Sequence, residues 1–167
     1  MQINKLTKKG FTLMELLVTV ILVAILASYA VYYYTDILQE GRLNAAKGKL
    51  AALGGATARF ILDHPNNIQC YQHTPAISPT SLTGKCNYSV SGVDYLYNIF
   101  KCGYAEKSLG IEENFDFYID CPSNHGCGTG GYVTAVMTPK NGQDDIFPAC
   151  AYFDPDMDKV IEVRSGE

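Results

Sequence analysis

Proline is missing from this chain before Pro65, and cysteine before Cys70. Between residues 11 and 34 the only ionisable side chain besides the tyrosines is Glu15. Each absence excludes something. Without proline, nothing in the first 64 residues removes a helical N–H or forces a break. Without cysteine, disulfide or thiol chemistry is confined to the region beyond. With so few charges, residues 11–34 cannot form a solvated helix. No internal repeat of solenoid length occurs. His64, His73 and His125 are scattered, and no Ser-His-Asp or Cys-His set is recognisable. The glycine-rich stretch Gly126-Cys127-Gly128-Thr129-Gly130-Gly131 lacks the Gly-Lys-Ser/Thr ending of a phosphate-binding loop. No catalytic activity and no cofactor are expected.

What is present begins with Lys5, Lys8 and Lys9, followed by Gly10 and the apolar run from Phe11. At about 1.5 Å per residue, roughly 20 such residues cross a ~30 Å hydrocarbon layer. Lysines ahead of such a run stay on the cytoplasmic side, so the C-terminus should point outward. Glu15 lies within the run, where a carboxylate needs a partner. The segment offers no counter-charge.

A secretory signal has a similar outline, and Ser28-Tyr29-Ala30 would serve as its cleavage site, leaving Val31 first. The run is longer than the usual signal core, and Glu15 is out of place in a segment meant for removal.

Beyond the apolar run, Ile37, Leu38, Ala45, Ala46, Leu50, Leu53, Ala56, Phe60 and Ile61 recur mostly every three, four or seven residues, with Arg42, Lys47, Lys49 and Arg59 between. This spacing predicts an amphipathic continuation of one helix from residue 11 to about residue 63, ended by Pro65. Gly41, Gly48, Gly54 and Gly55 interrupt it, for close packing or for local bending. Pro65, Pro75 and Pro79 then mark a long irregular connection. Strands are predicted at 95–100, 115–119, 132–138, 149–153 and 160–163, the last two joined by a turn at 154–159. The expected fold class is α+β: a long helix, a loop, and a small antiparallel sheet over the outer half of the helix.

The six cysteines Cys70, Cys86, Cys102, Cys121, Cys127 and Cys150 read as a disulfide framework in an oxidising compartment. Fifteen pairings are possible, and the expected ones join neighbours: 70–86, 102–121 and 127–150. A zinc site at Cys121, His125 and Cys127 lacks the paired spacing of structural sites. Asp154, Asp156 and Asp158, with Asp144 and Asp145, form a weak calcium candidate. Counted from Asp154, the sixth and twelfth positions of an EF-hand loop are Lys159 and Ser165, and neither fits. Without the first ten residues the chain has 10 basic against 17 acidic residues, a net charge of −7. General nucleic-acid binding is therefore not expected.

Lys8-Lys9-Gly10-Phe11-Thr12-Leu13-Met14-Glu15-Leu16-Leu17 resembles the processing site of type IV pilins and type II secretion pseudopilins. The resemblance implies a leader at 1–10, a membrane and polymerisation helix at 11–34, its amphipathic outer half at 35–64, and a pilin-like head at 65–167. It implies cleavage between Gly10 and Phe11 by a prepilin peptidase, and N-methylation of Phe11 by the same enzyme. Glu15 would pair with the methylated amine of Phe11 in a neighbouring subunit and so set the assembly register.

The implied partners are other copies, other pilins and an inner-membrane assembly platform. The implied location is the bacterial cytoplasmic membrane, single-pass, then an extracellular pilus or periplasmic pseudopilus. A minor pilin fits the same signature, and a secreted disulfide-rich binding protein is the rival of another class. In one respect the chain departs from many members. Tyr29 and Tyr32-Tyr33-Tyr34 occupy the region where those members carry a helix-kinking proline, so a straighter helix is expected.

Overall fold

A computed structural model describes residues 10–65, 75–80, 82–90, 92–110, 113–121, 127, 133–140 and 147–163. The chain divides into two compact units, Met1–Gly41 and Arg42–Glu167. Helix α1 (Leu13–Asp63) runs for 51 residues without a break, through Tyr29 and Tyr32-Tyr33-Tyr34 as well. His64 N–H still donates to the Phe60 carbonyl at 3.0 Å, and Pro65 then ends the helical pattern.

In the first unit, every residue from 10 to 38 is exposed, including Leu13, Val20, Leu26 and Tyr32. This stretch is long and apolar enough to cross a membrane, and among the described residues nothing covers it.

In the second unit, α1 buries Ala46, Leu50, Leu53, Gly54, Ala56, Thr57 and Phe60. The stripe thus starts later than its periodicity suggests. Ile37, Leu38 and Ala45 are exposed, and Ile61 is half-buried. Periodicity gives a direction around the helix but not how far along it a covering layer extends. Thr57 is the one polar member, and its hydroxyl donates to the Leu53 carbonyl at 2.8 Å.

The covering layer is an antiparallel sheet of β1 (Phe115–Asp120), β2 (Thr134–Pro139), β3 (Cys150–Asp154) and β4 (Lys159–Val163), ordered as in sequence. Phe117 pairs with Met137, Val136 with Tyr152, and Ala151 with Glu162. Side chains alternate between faces. Phe115, Phe117, Ile119, Ala135, Met137 and Ala151 share one core with the α1 stripe. Val136, Cys127 and Cys150 form a second cluster, flanked by Tyr118, Tyr152 and Val163.

Of the four helical glycines, Gly54 has a packing role. A Cβ built there would lie 2.2 Å from the Phe153 ring, whereas one at Gly41, Gly48 or Gly55 meets nothing within 4 Å. Close approach of helix and sheet therefore explains Gly54. The other three have no packing explanation of this kind. Lys47 adds an ion pair to Glu162 on β4.

The segment 95–100 is not a strand. It forms two helical turns, α2 (Val93–Leu96) and α3 (Asn98–Lys101). All six of its residues are buried, so no exposed face exists for an alternating strand. α3 ends in a Schellman motif: Tyr104 N–H donates to the Ile99 carbonyl at 2.9 Å and Gly103 N–H to that of Phe100 at 3.4 Å, with Gly103 at φ +82. Asn98 grips the preceding loop, accepting from Asn87 N–H at 3.2 Å and donating to its carbonyl at 2.7 Å.

That grip changes the disulfide pattern. Cys86 and Cys102 are bonded to each other, with Cα atoms 4.8 Å apart, which overturns the expected 70–86 and 102–121 pairs. The reason is local. Asn98 holds residue 87 against α3, and Cys102 caps the same helix. Cys127 is joined to Cys150. Cys121 is disulfide-bonded, and Cys70 lies outside the described residues.

Rings from the loop and from the end of α3 close over the last turn of α1. The Phe60 ring lies 5.1 Å from Tyr95, 5.3 Å from Tyr104 and 5.5 Å from His64, and His64 stacks on Tyr88 at 4.2 Å. Tyr95 O–H donates to the His64 carbonyl. Tyr104 O–H donates to Asp63 Oδ2 at 3.0 Å and lies 3.1 Å from His64 Nε2. Partial burial, and then the Asp63 carboxylate, push the Tyr104 phenol above its ordinary range.

Two predictions follow from this packing. Gly54→Ala should destabilise the fold by roughly 1–3 kcal/mol through overpacking against Phe153, read as a lower midpoint in denaturant. The stability that Tyr104 contributes is present below the unfolded phenol pKa of about 10 and is lost as pH rises through its raised folded value. Tyr104→Phe should flatten that alkaline decline in a pH series of unfolding midpoints. An unchanged decline would remove Tyr104 as its source.

Candidate processing and assembly site

Gly10, Phe11 and Thr12 precede α1 in non-helical backbone, and all three are exposed. Phe11 shows 78% of its surface. A Cβ at Gly10 would meet nothing within 4 Å, so the packing of this chain does not require glycine there. Lys5, Lys8 and Lys9 lie outside the described residues.

The helix starts where it does because Thr12 caps it. The Thr12 carbonyl accepts the first helical bond, from Leu16 N–H at 3.2 Å. Its side-chain oxygen accepts from Glu15 N–H at 3.3 Å. In return, Glu15 Oε2 accepts from Thr12 N–H at 2.9 Å and from the Thr12 hydroxyl at 2.8 Å. This is a reciprocal capping box, and its sequence signature, Thr-x-x-Glu ahead of an apolar run, stands openly at 12–15.

Glu15 is therefore not without a partner inside its own segment, contrary to the expectation from charge alone. Counting counter-charges overlooks hydrogen-bond donors, and Thr12 supplies two. The carboxylate also lies at the positive end of the helix dipole. Thr12 is the residue that sequence reasoning passed over.

The other expected residues fall elsewhere. Asp154 is buried and accepts from Asp156 N–H at 2.9 Å and Met157 N–H at 3.1 Å, so its carboxylate builds the β3–β4 turn. Asp158 occupies the left-handed region there at φ 50, which Asp tolerates better than most residues. Asp144, Asp145 and His125 lie outside the described residues. Among the described residues no group of three or more His, Cys, Asp or Glu side chains is placed to hold a metal.

Thr12→Val should free the first turn of α1. Hydrogen exchange of the amides at 14–16 is expected to accelerate in the full chain while exchange in β1 to β4 stays unchanged. Equal exchange at 14–16 in the variant would remove Thr12 as the cap.

Residues 5–31 match the family model described as the prokaryotic N-terminal methylation motif. No solved structure matches the chain. The match spans the basic residues from Lys5, the exposed Gly10-Phe11 link, the Thr12–Glu15 box and the first part of the apolar helix. The chain is thus an α+β protein, a long helix with a four-stranded antiparallel sheet, whose N-terminal residues 5–31 are similar to the methylation motif found in type IV pilins and pseudopilins.

Proposed function

We propose that this protein is a structural subunit of a type IV pilus-like filament, matured by cleavage between Gly10 and Phe11 and by N-methylation of Phe11. The observation that carries this reading is the exposed, non-helical Gly10-Phe11 link set immediately before a capped helix whose apolar residues up to 38 are all exposed. A peptidase needs extended backbone at the scissile bond. Thr12 keeps that bond out of the helix. Cleavage there leaves the apolar helix in the mature subunit, unlike cleavage after Ala30.

The helix then acts twice. As a single-pass anchor it holds the precursor in the cytoplasmic membrane with the head outside. In the filament its uncovered side chains pack against other copies or other pilins. Glu15 exchanges its Thr12 hydrogen bonds, in whole or in part, for the methylated amine of a neighbouring Phe11. A buried carboxylate is costly when unpaired, and the amine exists only after cleavage. Maturation and assembly register are coupled through that one pair. Prepilin peptidase and an inner-membrane assembly platform are the partners this reading requires, and the product is a surface pilus or a periplasmic pseudopilus.

Glu15→Ala tests it. The variant should fold and be cleaved, with N-terminal sequencing returning methylated Phe11, yet be largely absent from sheared filaments. Wild-type amounts in the filament fraction would refute the pairing role. A first residue of Val31 would refute the filament reading itself.

A further inference from the structure

The last turn of α1 and the loop around α3 enclose an open groove of about 640 Å³, lined by Arg59, Asp63, Tyr88, Gly103 and Tyr104 among others. It lies wholly within the Arg42–Glu167 unit. Its size is that of a small-ligand site. The geometry points to a binding site for a neutral saccharide. This inference does not rest on the filament reading.

The charges in the wall favour a neutral ligand. Arg59 and Asp63 sit one helical turn apart and cancel in sign. A phosphate held by the guanidinium would meet the carboxylate, and a metal ion held by the carboxylate would meet the guanidinium. Arg59 makes no ion pair among the described residues, so its donors are available. Asp63 accepts from Tyr104 through one oxygen and keeps the other. Donor and acceptor on the same wall suit a ligand that carries several hydroxyls.

The aromatic wall supplies the second half of the match. Tyr88 stacks on His64 yet leaves 40% of its surface exposed, and it lines the groove. A pyranose has a ring of hydroxyls and an apolar C–H face, and it meets both features at once. A purely apolar ligand would leave Arg59 and Asp63 desolvated and unpaired.

The walls are also fixed in advance. The Cys86–Cys102 bond, the Gly103 turn and the Tyr104 hydrogen bonds hold them before any ligand arrives, which lowers the entropy cost of binding. Among the described lining residues Asp63 is the one carboxylate, whereas glycoside hydrolysis ordinarily needs a pair, and the proposal is accordingly one of binding.

The test uses the full chain in a zwitterionic detergent without a sugar headgroup, because alkyl glycosides would compete. Maltotriose and the trimer of N-acetylglucosamine are titrated in turn while tyrosine ring resonances are followed by NMR, with an oligothymidylate as the charged aromatic control. At least one trisaccharide should give saturable shifts at Tyr88 and Tyr104 and none at Tyr118. Arg59→Ala, at an exposed position, and Tyr88→Leu should each weaken that binding roughly tenfold, with the Tyr118 resonance reporting an intact sheet. No shift with either sugar at millimolar concentration would overturn the proposal. So would binding that survives Arg59→Ala unchanged, or preferential binding of the oligothymidylate at these rings.

Discussion

An ionised carboxylate at the head of an apolar helix must be satisfied wherever it goes, and that requirement governs the N-terminal region of this chain. In the lone chain Thr12 satisfies Glu15, with two donors aimed at one oxygen. The same contacts fix where α1 begins, because a capping box closes the first turn. The start of the helix in turn decides that Gly10 and Phe11 lie outside it. A single local interaction thus sets the state of the acid, the first residue of the rod and the conformation of the link ahead of it. In the proposed filament the acid changes partners rather than losing one, so it remains satisfied during passage from membrane to polymer.

The rest of α1 obeys a different constraint. Among the described residues no layer covers positions 10–38, and between 16 and 34 the helix carries no charged side chain. From Ala46 on, burial narrows to a stripe against the sheet. Helix and sheet come so close at Gly54 that the Phe153 ring occupies the space a methyl group would need. The helix end is then closed by rings rather than by a glycine: Tyr95 serves the His64 carbonyl, and Tyr104 bridges Asp63 and His64. These contacts use up carbonyls and side chains that would otherwise need water, and the groove beside them is a by-product of that closure.

Much of this was legible in order along the chain. The missing prolines and the apolar run announced one long helix, and runs rich in aromatic and β-branched residues announced five strands, of which four formed. The Thr-x-x-Glu cap was equally legible, and attention to charge hid it. The segment 95–100 misled for a physical reason. Tyr95, Tyr97, Ile99 and Phe100 have strand-like composition, but β-propensity measures fit to a half-buried surface, and this segment is buried on every side. Lys101-Cys102-Gly103 was the counter-signal, a helical turn stopped by a glycine.

By itself, then, the sequence determined what local rules control: the helix and its ends, the strand-forming runs and the N-terminal signature. Only the tertiary structure decided which residues meet across loops. Cys86 found Cys102 because Asn98 clasps Asn87. Gly54 acquired a packing role because Phe153 arrived from the sheet, and Arg59, Asp63, Tyr88 and Tyr104 gathered around one groove. Spacing along a chain fixes the directions in which side chains point. Their partners depend on where distant segments are carried, and that is settled by the packing of the whole unit.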